Sequence, residues 1–343
     1  MKFQYEELGL KARYAPRINL HNRTKLENVI PISTPYVIFV DTCDACNFKC
    51  AFCPTSDSKL MKSVNRPLRV MKIELFKKLV NDMLEFPEKV KTLRMYKDGE
   101  PLLNKKISEM IEYAKSKNCC EKIDITTNAS LLTENKGKEL VEAGLDRINI
   151  SIEGVNKEQY KNFSDVDIEF ERVFENVKNF HKNKKNCEML VKINGDTLSE
   201  EDLLKFFKIF GNYTDLIHVE RILDCWPNFS FRGNLKSNKN LGIWGEEVEK
   251  ELDVCPYPFY SISLNSNGTM SLCFLDWAHK LVVGDLNKES LKEIWNGKNL
   301  KNYRMMFLKG NRKEHDVCGK CGQMSHGSPD NIDSFKSDLL GKL

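Results

Sequence analysis

The sequence contains no apolar run approaching the roughly 18 residues that a membrane-spanning helix needs, so nothing in it is built to cross a bilayer. It has little net charge, +4 over 343 residues, and no basic stripe with interleaved aromatics, which argues against nucleic acid as a partner. Its first residues place glutamates where a secretion signal has an unbroken apolar core, so the chain is expected in the cytoplasm. Histidine is scarce and shows no metal-binding spacing, and His218 and His279 are read as structural. Cysteine is the exception, with twelve residues. In a reducing compartment these are metal ligands, catalytic thiols or small core residues rather than disulfides.

The length suits a domain of roughly 200 residues and a smaller one. Short apolar, β-branched runs at 36–40, 90–96, 123–127, 147–152, 189–194 and 216–223 read as strands. Helical periodicity separates them: from Lys72, with Ile73, Phe76, Leu79, Val80, Met83 and Leu84 on one face; over 107–114; from Thr133 to a C-cap at Gly144; over 170–180; and from Ser199, which opens a capping-box pattern. Six strands alternating with helices predict a parallel sheet covered by helices, either curved into a partial barrel or open and doubly wound.

Polar residues recur at the same end of these strands, as they do where a barrel-like sheet carries a site at its C-terminal mouth. Strand one runs into a loop that sets Cys46, Cys50 and Cys53 at C-x₃-C-x₂-C spacing, with Phe52 before the last cysteine. Three such thiolates suggest a metal, and an iron–sulfur cluster can be held by three cysteines with one iron left open. Asp98, Gly99, Glu100 and Pro101 follow strand two. Asn128 closes strand three, Ser151 and Glu153 close strand four, and Lys192 and Asn194 end strand five. Singly, each of these residues is ordinary turn chemistry; together they share one mouth.

Residues 224–252 lack clear periodicity and read as a long connection that either covers the mouth or merely links. Beyond it, Cys255 and Cys273 flank a β-hairpin, a helix lies near 291–295, and Cys318 and Cys321 form a C-x₂-C pair. On their own these four cysteines suit structural zinc. The remaining five, Cys43, Cys119, Cys120, Cys187 and Cys225, read as small buried residues, with Cys225 the one placed at the mouth.

The cysteine spacing and the mouth motifs resemble the radical S-adenosylmethionine (SAM) family over about 35–223. The resemblance implies a partial (β/α)6 barrel, an α/β fold, with a [4Fe–4S] cluster on Cys46, Cys50 and Cys53. It also implies SAM held by Phe52, Gly99, Glu100, Asn128, Ser151, Glu153 and Asn194. Gly99 and Glu100 look like the end of the family's Gly-Gly-Glu motif, with Asp98 in place of the first glycine. The last third resembles the twitch/SPASM extension, which implies a small C-terminal α+β domain whose Cys255, Cys273, Cys318 and Cys321 hold one auxiliary [4Fe–4S] cluster. The units implied are an extension over 1–34, the barrel over 35–223, a linker over 224–252, the auxiliary domain over 253–327 and a tail over 328–343.

Such enzymes take an electron from a donor such as flavodoxin or ferredoxin, cleave SAM to a 5′-deoxyadenosyl radical and abstract hydrogen from a substrate carbon. A single auxiliary cluster resembles the family's 2-deoxy-scyllo-inosamine dehydrogenase-like members and implies two-electron oxidation of an alcohol on a small sugar or aminocyclitol. Asp276 is the candidate base, with Lys192 and Arg232 as other mouth residues. Two alternatives stand beside this reading. One is a maturase acting on a ribosomal peptide, for which 34 residues before the barrel are few to form a leader-binding domain. The other is a non-catalytic iron–sulfur or zinc module.

Overall fold

In the computed structural model the apolar runs form strands of one continuous sheet. The structure describes residues 8–20, 22–66, 68–233, 235–237, 241–248, 251–326 and 328–343. In chain order the strands are β1 (Arg13–Tyr14), β2 (Val37–Val40), β3 (Val90–Arg94), β4 (Cys120–Thr127), β5 (Arg147–Ile152), β6 (Glu188–Asn194), β7 (Leu216–Glu220), β8 (Ser261–Leu264), β9 (Thr269–Ser271) and β10 (Val282–Asp285). Their spatial order is β1-β7-β6-β5-β4-β3-β2-β8-β9-β10. Strands β2 to β7 are mutually parallel neighbours, joined by crossovers that carry the expected helices Ile73–Met83, Ile107–Lys117, Glu134–Glu142, Phe170–Asn183 and Glu200–Phe210. This is the mixed α/β architecture with a parallel core that the sequence predicts.

The helix boundaries follow local chemistry. Thr133 and Ser199 accept backbone N–H groups at the helix starts, and Gly144 takes a φ of 89°, a left-handed value that glycine reaches without strain. Side chains such as Phe76, Leu79, Ile107, Ile111, Val173 and Phe206 are fully buried against the outer face of the sheet. Capping at Ser290 is a complete box with Glu293 and starts helix Leu291–Asn296.

Two features were not foreseen. First, β8 pairs parallel with β2, Val37 opposite Ser261 through Val40 opposite Leu264, so the C-terminal hairpin extends the barrel's sheet. Second, the described residues before 35 are integrated with the rest. Strand β1 pairs parallel with β7, and Leu26 and Ile30 are buried in the common core. Arg23 then reaches the C-terminal tail, meeting Asp330 through Nη2 at 2.5 Å and through Nε at 2.8 Å.

The cysteine loop is fixed from beneath by buried charges. Arg66 Nη2 lies 2.9 Å from Asp98, 3.2 Å from Asp41 and 3.4 Å from Asp44, while its Nη1 donates to Trp277 O at 2.7 Å. Lys97 meets Asp98 at 2.5 Å and donates to Asp276 O at 3.1 Å. Burial works to raise the Asp98 carboxyl, but Arg66 and Lys97 outweigh it and hold Asp98 below the ordinary range; Asp41 is pushed up by burial and by Asp98 and Asp44. Removing one partner from such a group leaves uncompensated buried charge, which typically costs about 3–5 kcal/mol. Arg66→Ala is therefore expected to lower stability by that order, read from chemical denaturation followed by circular dichroism, whereas loss of an exposed pair such as Lys138–Glu134 should leave the midpoint nearly unchanged.

Candidate active site and cluster sites

The inward faces of β2 to β7 enclose a cleft of about 700 Å³. Its upper end carries Phe52, Cys53, Ser151, Glu153, Lys192, Asn194 and Glu220; its lower part carries Arg94, Lys122, Asp124 and Arg147; Arg17, Ile18, Asn22, Arg23 and Leu26 near the N-terminus contribute one wall. Cys225, Trp226, Ile243 and Trp244 from the long connection line it as well, with Ile222 and Leu223 just before that connection, so described parts of the segment lie at the mouth. Phe52 lies against Phe163 with ring centroids 5.5 Å apart.

Cys46, Cys50 and Cys53 are each met by a polar neighbour. Phe48 N donates to Cys46 Sγ at 3.4 Å, Cys50 Sγ lies 3.5 Å from Ser164 Oγ, and Cys53 Sγ lies 3.0 Å from Thr55 Oγ1. Burial, then the neighbouring Glu100 carboxylate, pushes the Cys46 thiol up to about 12. Cys50 and Cys53 are raised by burial too. A bound cluster's positive iron reverses that preference. Cys43 is buried beneath the loop and donates to Ala45 O at 3.6 Å.

The other four cysteines, Cys255, Cys273, Cys318 and Cys321, converge on one small apolar cavity of about 30 Å³. Burial raises all four thiols, Cys318 to about 12. Among the described residues, the one group of three His, Cys, Asp or Glu ligand atoms within 4.8 Å of one another is Asp41, Asp98 and His279, and that group is already filled by Arg66 and Lys97. Neither cysteine set is therefore drawn together as four thiolates around zinc at about 2.3 Å would be, with sulfurs under about 4 Å apart. Wider spacing fits a multi-iron cluster. Tyr257, Leu275 and Gln323 line both this cavity and the cleft, so a single layer of side chains separates the two.

Five expected site residues take other places. Glu100 does not line the cleft: it is 2% exposed, and its oxygens accept from Leu102 N at 3.0 Å, Thr127 Oγ1 at 2.6 Å and Asn128 N at 2.9 Å. With three donors satisfied, it ties the ends of β3 and β4 rather than facing a ligand ammonium. Gly99 is required by packing, since a Cβ there would sit 2.0 Å from Cys43 O and 2.4 Å from Ala45 O. Asn128 braces the cysteine loop through Asn47 Oδ1 at 2.9 Å and lies 4.0 Å from Cys46 Sγ. Asp276 is corrected to a turn residue: it is 1% exposed and accepts from Ser271 Oγ at 2.7 Å, Lys280 N at 2.8 Å and Leu281 N at 2.9 Å, leaving no oxygen for a substrate. Arg232 donates to Lys49 O and is spent on the cysteine loop.

The carboxylates that do face the cleft differ in state. Burial raises Glu153 to about 7 despite Lys192 nearby. Glu220 is ion-paired with Lys192 through Oε2, while its Oε1 is buried without a hydrogen-bond partner among the described residues. Burial opposes its ionisation, but Lys192 and Arg17 hold its carboxyl below the ordinary range. Glu220, Asp124 and the cleft arginines escaped the sequence reading, although the polar–apolar alternation of Lys122 to Thr126 and of Arg147 to Ile152 signals an inward polar face.

Residues 40–207 match the Radical SAM superfamily, and residues 255–322 match SPASM, an iron–sulfur cluster-binding domain; these matches imply iron–sulfur clusters and SAM as cofactors. An uncharacterized protein of Methanocaldococcus jannaschii is 32% identical over 157 residues, which cover 46% of this chain and 51% of that protein, so the chain matches about half of it. A GTP 3′,8-cyclase of Clostridium botulinum is 28% identical, covering 64% of the chain and 68% of the relative. The S-adenosyl-L-methionine-dependent 2-deoxy-scyllo-inosamine dehydrogenase of Niallia circulans is 22% identical, covering 84% and 93%. Two solved structures share the fold. BtrN in complex with AdoMet and 2-DOIA has a TM-score of 0.55 at 20% identity, covering 87% of this chain and 97% of that one. Streptococcus suis SuiB bound to S-adenosylmethionine has a TM-score of 0.64 at 16% identity, covering 88% and 74%. No described helix is long and apolar enough to cross a membrane.

Glu153 makes a pH signature. Its ordinary value of 4.5 applies unfolded and about 7 applies folded, so folding takes up a proton between the two. The contribution to stability is fully present below pH 4.5 and is lost as pH rises through 7, by up to about 3 kcal/mol. Denaturation midpoints of wild type and Glu153→Gln at about pH 5.5 and about pH 8, on either side of the folded value of about 7, should show a drop in the wild type that the glutamine variant lacks.

Proposed function

Because the chain belongs to the radical SAM superfamily and carries a SPASM-type iron–sulfur domain, we propose that it oxidises an alcohol of a small polyhydroxylated molecule by two electrons. The observation that carries the reading is the single layer of Tyr257, Leu275 and Gln323 between the cleft and the four-cysteine cavity. In this reading two [4Fe–4S] clusters are held, one by Cys46, Cys50 and Cys53 and one by Cys255, Cys273, Cys318 and Cys321. The bound groups supply what amino acids do not, a 5′-deoxyadenosyl radical that takes a hydrogen atom from carbon and an acceptor for the second electron. An external one-electron donor such as flavodoxin or ferredoxin starts each cycle.

The chain's own residues do the rest. Phe52, Ser151, Glu153 and Asn194 line the upper cleft, where SAM is positioned beside Cys53. Glu220, ionised and with Oε1 unpartnered, accepts the hydroxyl proton, while Lys192 holds the carboxylate in place. The covering connection with Trp226 and Trp244 excludes water from the reacting carbon. A cleft of about 700 Å³ is in the range of small-molecule sites, which favours a small substrate over a ribosomal peptide.

Reconstituted protein should carry about eight irons per chain, and replacing Cys46, Cys50 and Cys53 with alanine should leave about half of them, read by iron analysis and electron paramagnetic resonance. Zinc in place of iron, or loss of all iron, would exclude the assignment. Glu220→Gln should keep its iron and bind SAM, yet slow ketone formation by about 10²–10⁴-fold. Anaerobic incubation of reduced enzyme with C-deuterated sugars, aminocyclitols and peptides, following deuterium into 5′-deoxyadenosine, tests the whole reading. Turnover confined to peptides would replace it with the maturase reading.

A further inference from the structure

The lower cleft is cationic beyond what the chain itself neutralises. Nine lysines and arginines line the cleft against four aspartates and glutamates. Arg94, Asp124 and Arg147 are register partners across β3, β4 and β5, which places both guanidinium groups and the one carboxylate in a row on the floor. Arg94 Nε lies 3.8 Å from Asp124 Oδ2, and Arg147 Nε lies 3.3 Å from Glu188 Oε2. Arg147 Nη1 donates to Arg17 O at 2.9 Å, and Arg17 Nη1 donates to Tyr96 OH at 3.1 Å, so the N-terminal wall is tied to the same floor. Capacity is left over. Arg147 is 9% exposed and its Nη2 is buried without a hydrogen-bond partner among the described residues, as are Arg17 Nε and Arg94 Nε. Buried guanidinium N–H groups without acceptors are costly and mark a place where an acceptor belongs.

We propose that the substrate carries a phosphate group, seated on Arg94 and Arg147 at the floor and on Arg17 of the adjoining wall, with its reacting carbon held beneath Phe52, Cys53 and Glu220 toward the mouth. Arg17, Arg94 and Arg147 line the same cleft, with Asp124 between the latter two, and guanidinium groups offer forked N–H donors of the kind that the three free oxygens of a phosphate monoester accept. Arg147 and Ser151 are four residues apart on β5, about 13 Å at the strand rise. That depth accommodates a sugar ring and its phosphate arm between floor and mouth. An ammonium group would meet the same cations and be repelled, so the floor selects against an inosamine-type amine. The proposal deepens the oxidation reading by naming the substrate class and rests on it only for what happens to the bound molecule.

Binding is tested on the anaerobically reconstituted holoenzyme by calorimetric titration with inorganic phosphate and with glucose 6-phosphate, each against glucose and against chloride at matched ionic strength. Both phosphates should bind and compete with each other, and Arg147→Gln and Arg94→Gln should each weaken them at least about tenfold, the loss expected when a charge-assisted pair is removed. Arg94→Lys keeps the charge but not the fork, and should also weaken binding; it serves if Arg147→Gln does not fold. Lys138→Gln on the outer surface should have no effect. Absence of phosphate binding, or binding unchanged in both Arg94 variants, overturns the proposal. Phosphate binding without 5′-deoxyadenosine formation from any phosphorylated polyol upholds the site and overturns the oxidation reading instead.

Discussion

The guanidinium of Arg66 is the point on which the upper half of the molecule depends. It takes three carboxylates from two loops, Asp41 and Asp44 beside the cysteine loop and Asp98 after β3, and adds a carbonyl from the turn at Trp277. None of these groups can be buried alone, because an isolated ion in a low-dielectric interior is far from its solvation optimum. They are tolerable only together, which fixes the relative positions of the cysteine loop, the strand-end loop and the C-terminal hairpin. Asp98 is thereby explained. It occupies the position where the family motif has glycine because here that position supplies charge to the cage, while the one glycine that packing demands is Gly99, pressed against Cys43 O and Ala45 O.

A second constraint follows from sheet continuity. Since β8 is hydrogen-bonded to β2, the segment that leads from Cys255 into the hairpin is registered on the barrel itself. Phe39 of β2 stacks on Phe274 at 4.7 Å, and Tyr257 meets Phe274 edge-on at 5.1 Å, so side chains adjoining the auxiliary cysteines form the wall of the cleft. A flexibly tethered domain could not hold a cavity one side-chain layer from a reacting carbon. Sheet hydrogen bonding can, since register admits no small slips.

How much of this was written legibly in the sequence depended on whether a signal was local. Periodicity located the six parallel strands and their helices because each buries one apolar face, and the two cysteine sets announced themselves by spacing. The pairing of β1 with β7 and of β8 with β2 left no local mark, since strands of two and four residues carry almost no periodicity and their partners are far away in sequence. Glu100 and Asp276 were misplaced for a related reason. Both are acids at strand or hairpin ends, and whether such an acid faces a ligand or caps its own backbone is decided by donors that sequence does not position, Thr127 Oγ1 and Asn128 N for one, Ser271 Oγ and Leu281 N for the other. The floor of the cleft was legible but went unread. A parallel strand covered on both faces by apolar groups reads as a continuous hydrophobic run, whereas Lys122-Ile-Asp124-Ile-Thr126 alternates.

That alternation separates the two jobs of the cleft physically. The residues beside the cysteine loop sit at strand ends and on loops, where a cofactor can be held without disturbing the sheet. The floor is built from residues paired across the sheet, Arg94 at the end of β3, Asp124 within β4 and Arg147 at the start of β5, whose backbones are locked in register, so their side chains can differ between members of a fold without moving the mouth. Substrate choice can thus diverge through inward strand positions and the N-terminal wall while the upper machinery stays fixed. In this chain Arg17, Arg94 and Arg147 place more buried donors at the base of the cleft than the protein's own acceptors among the described residues satisfy.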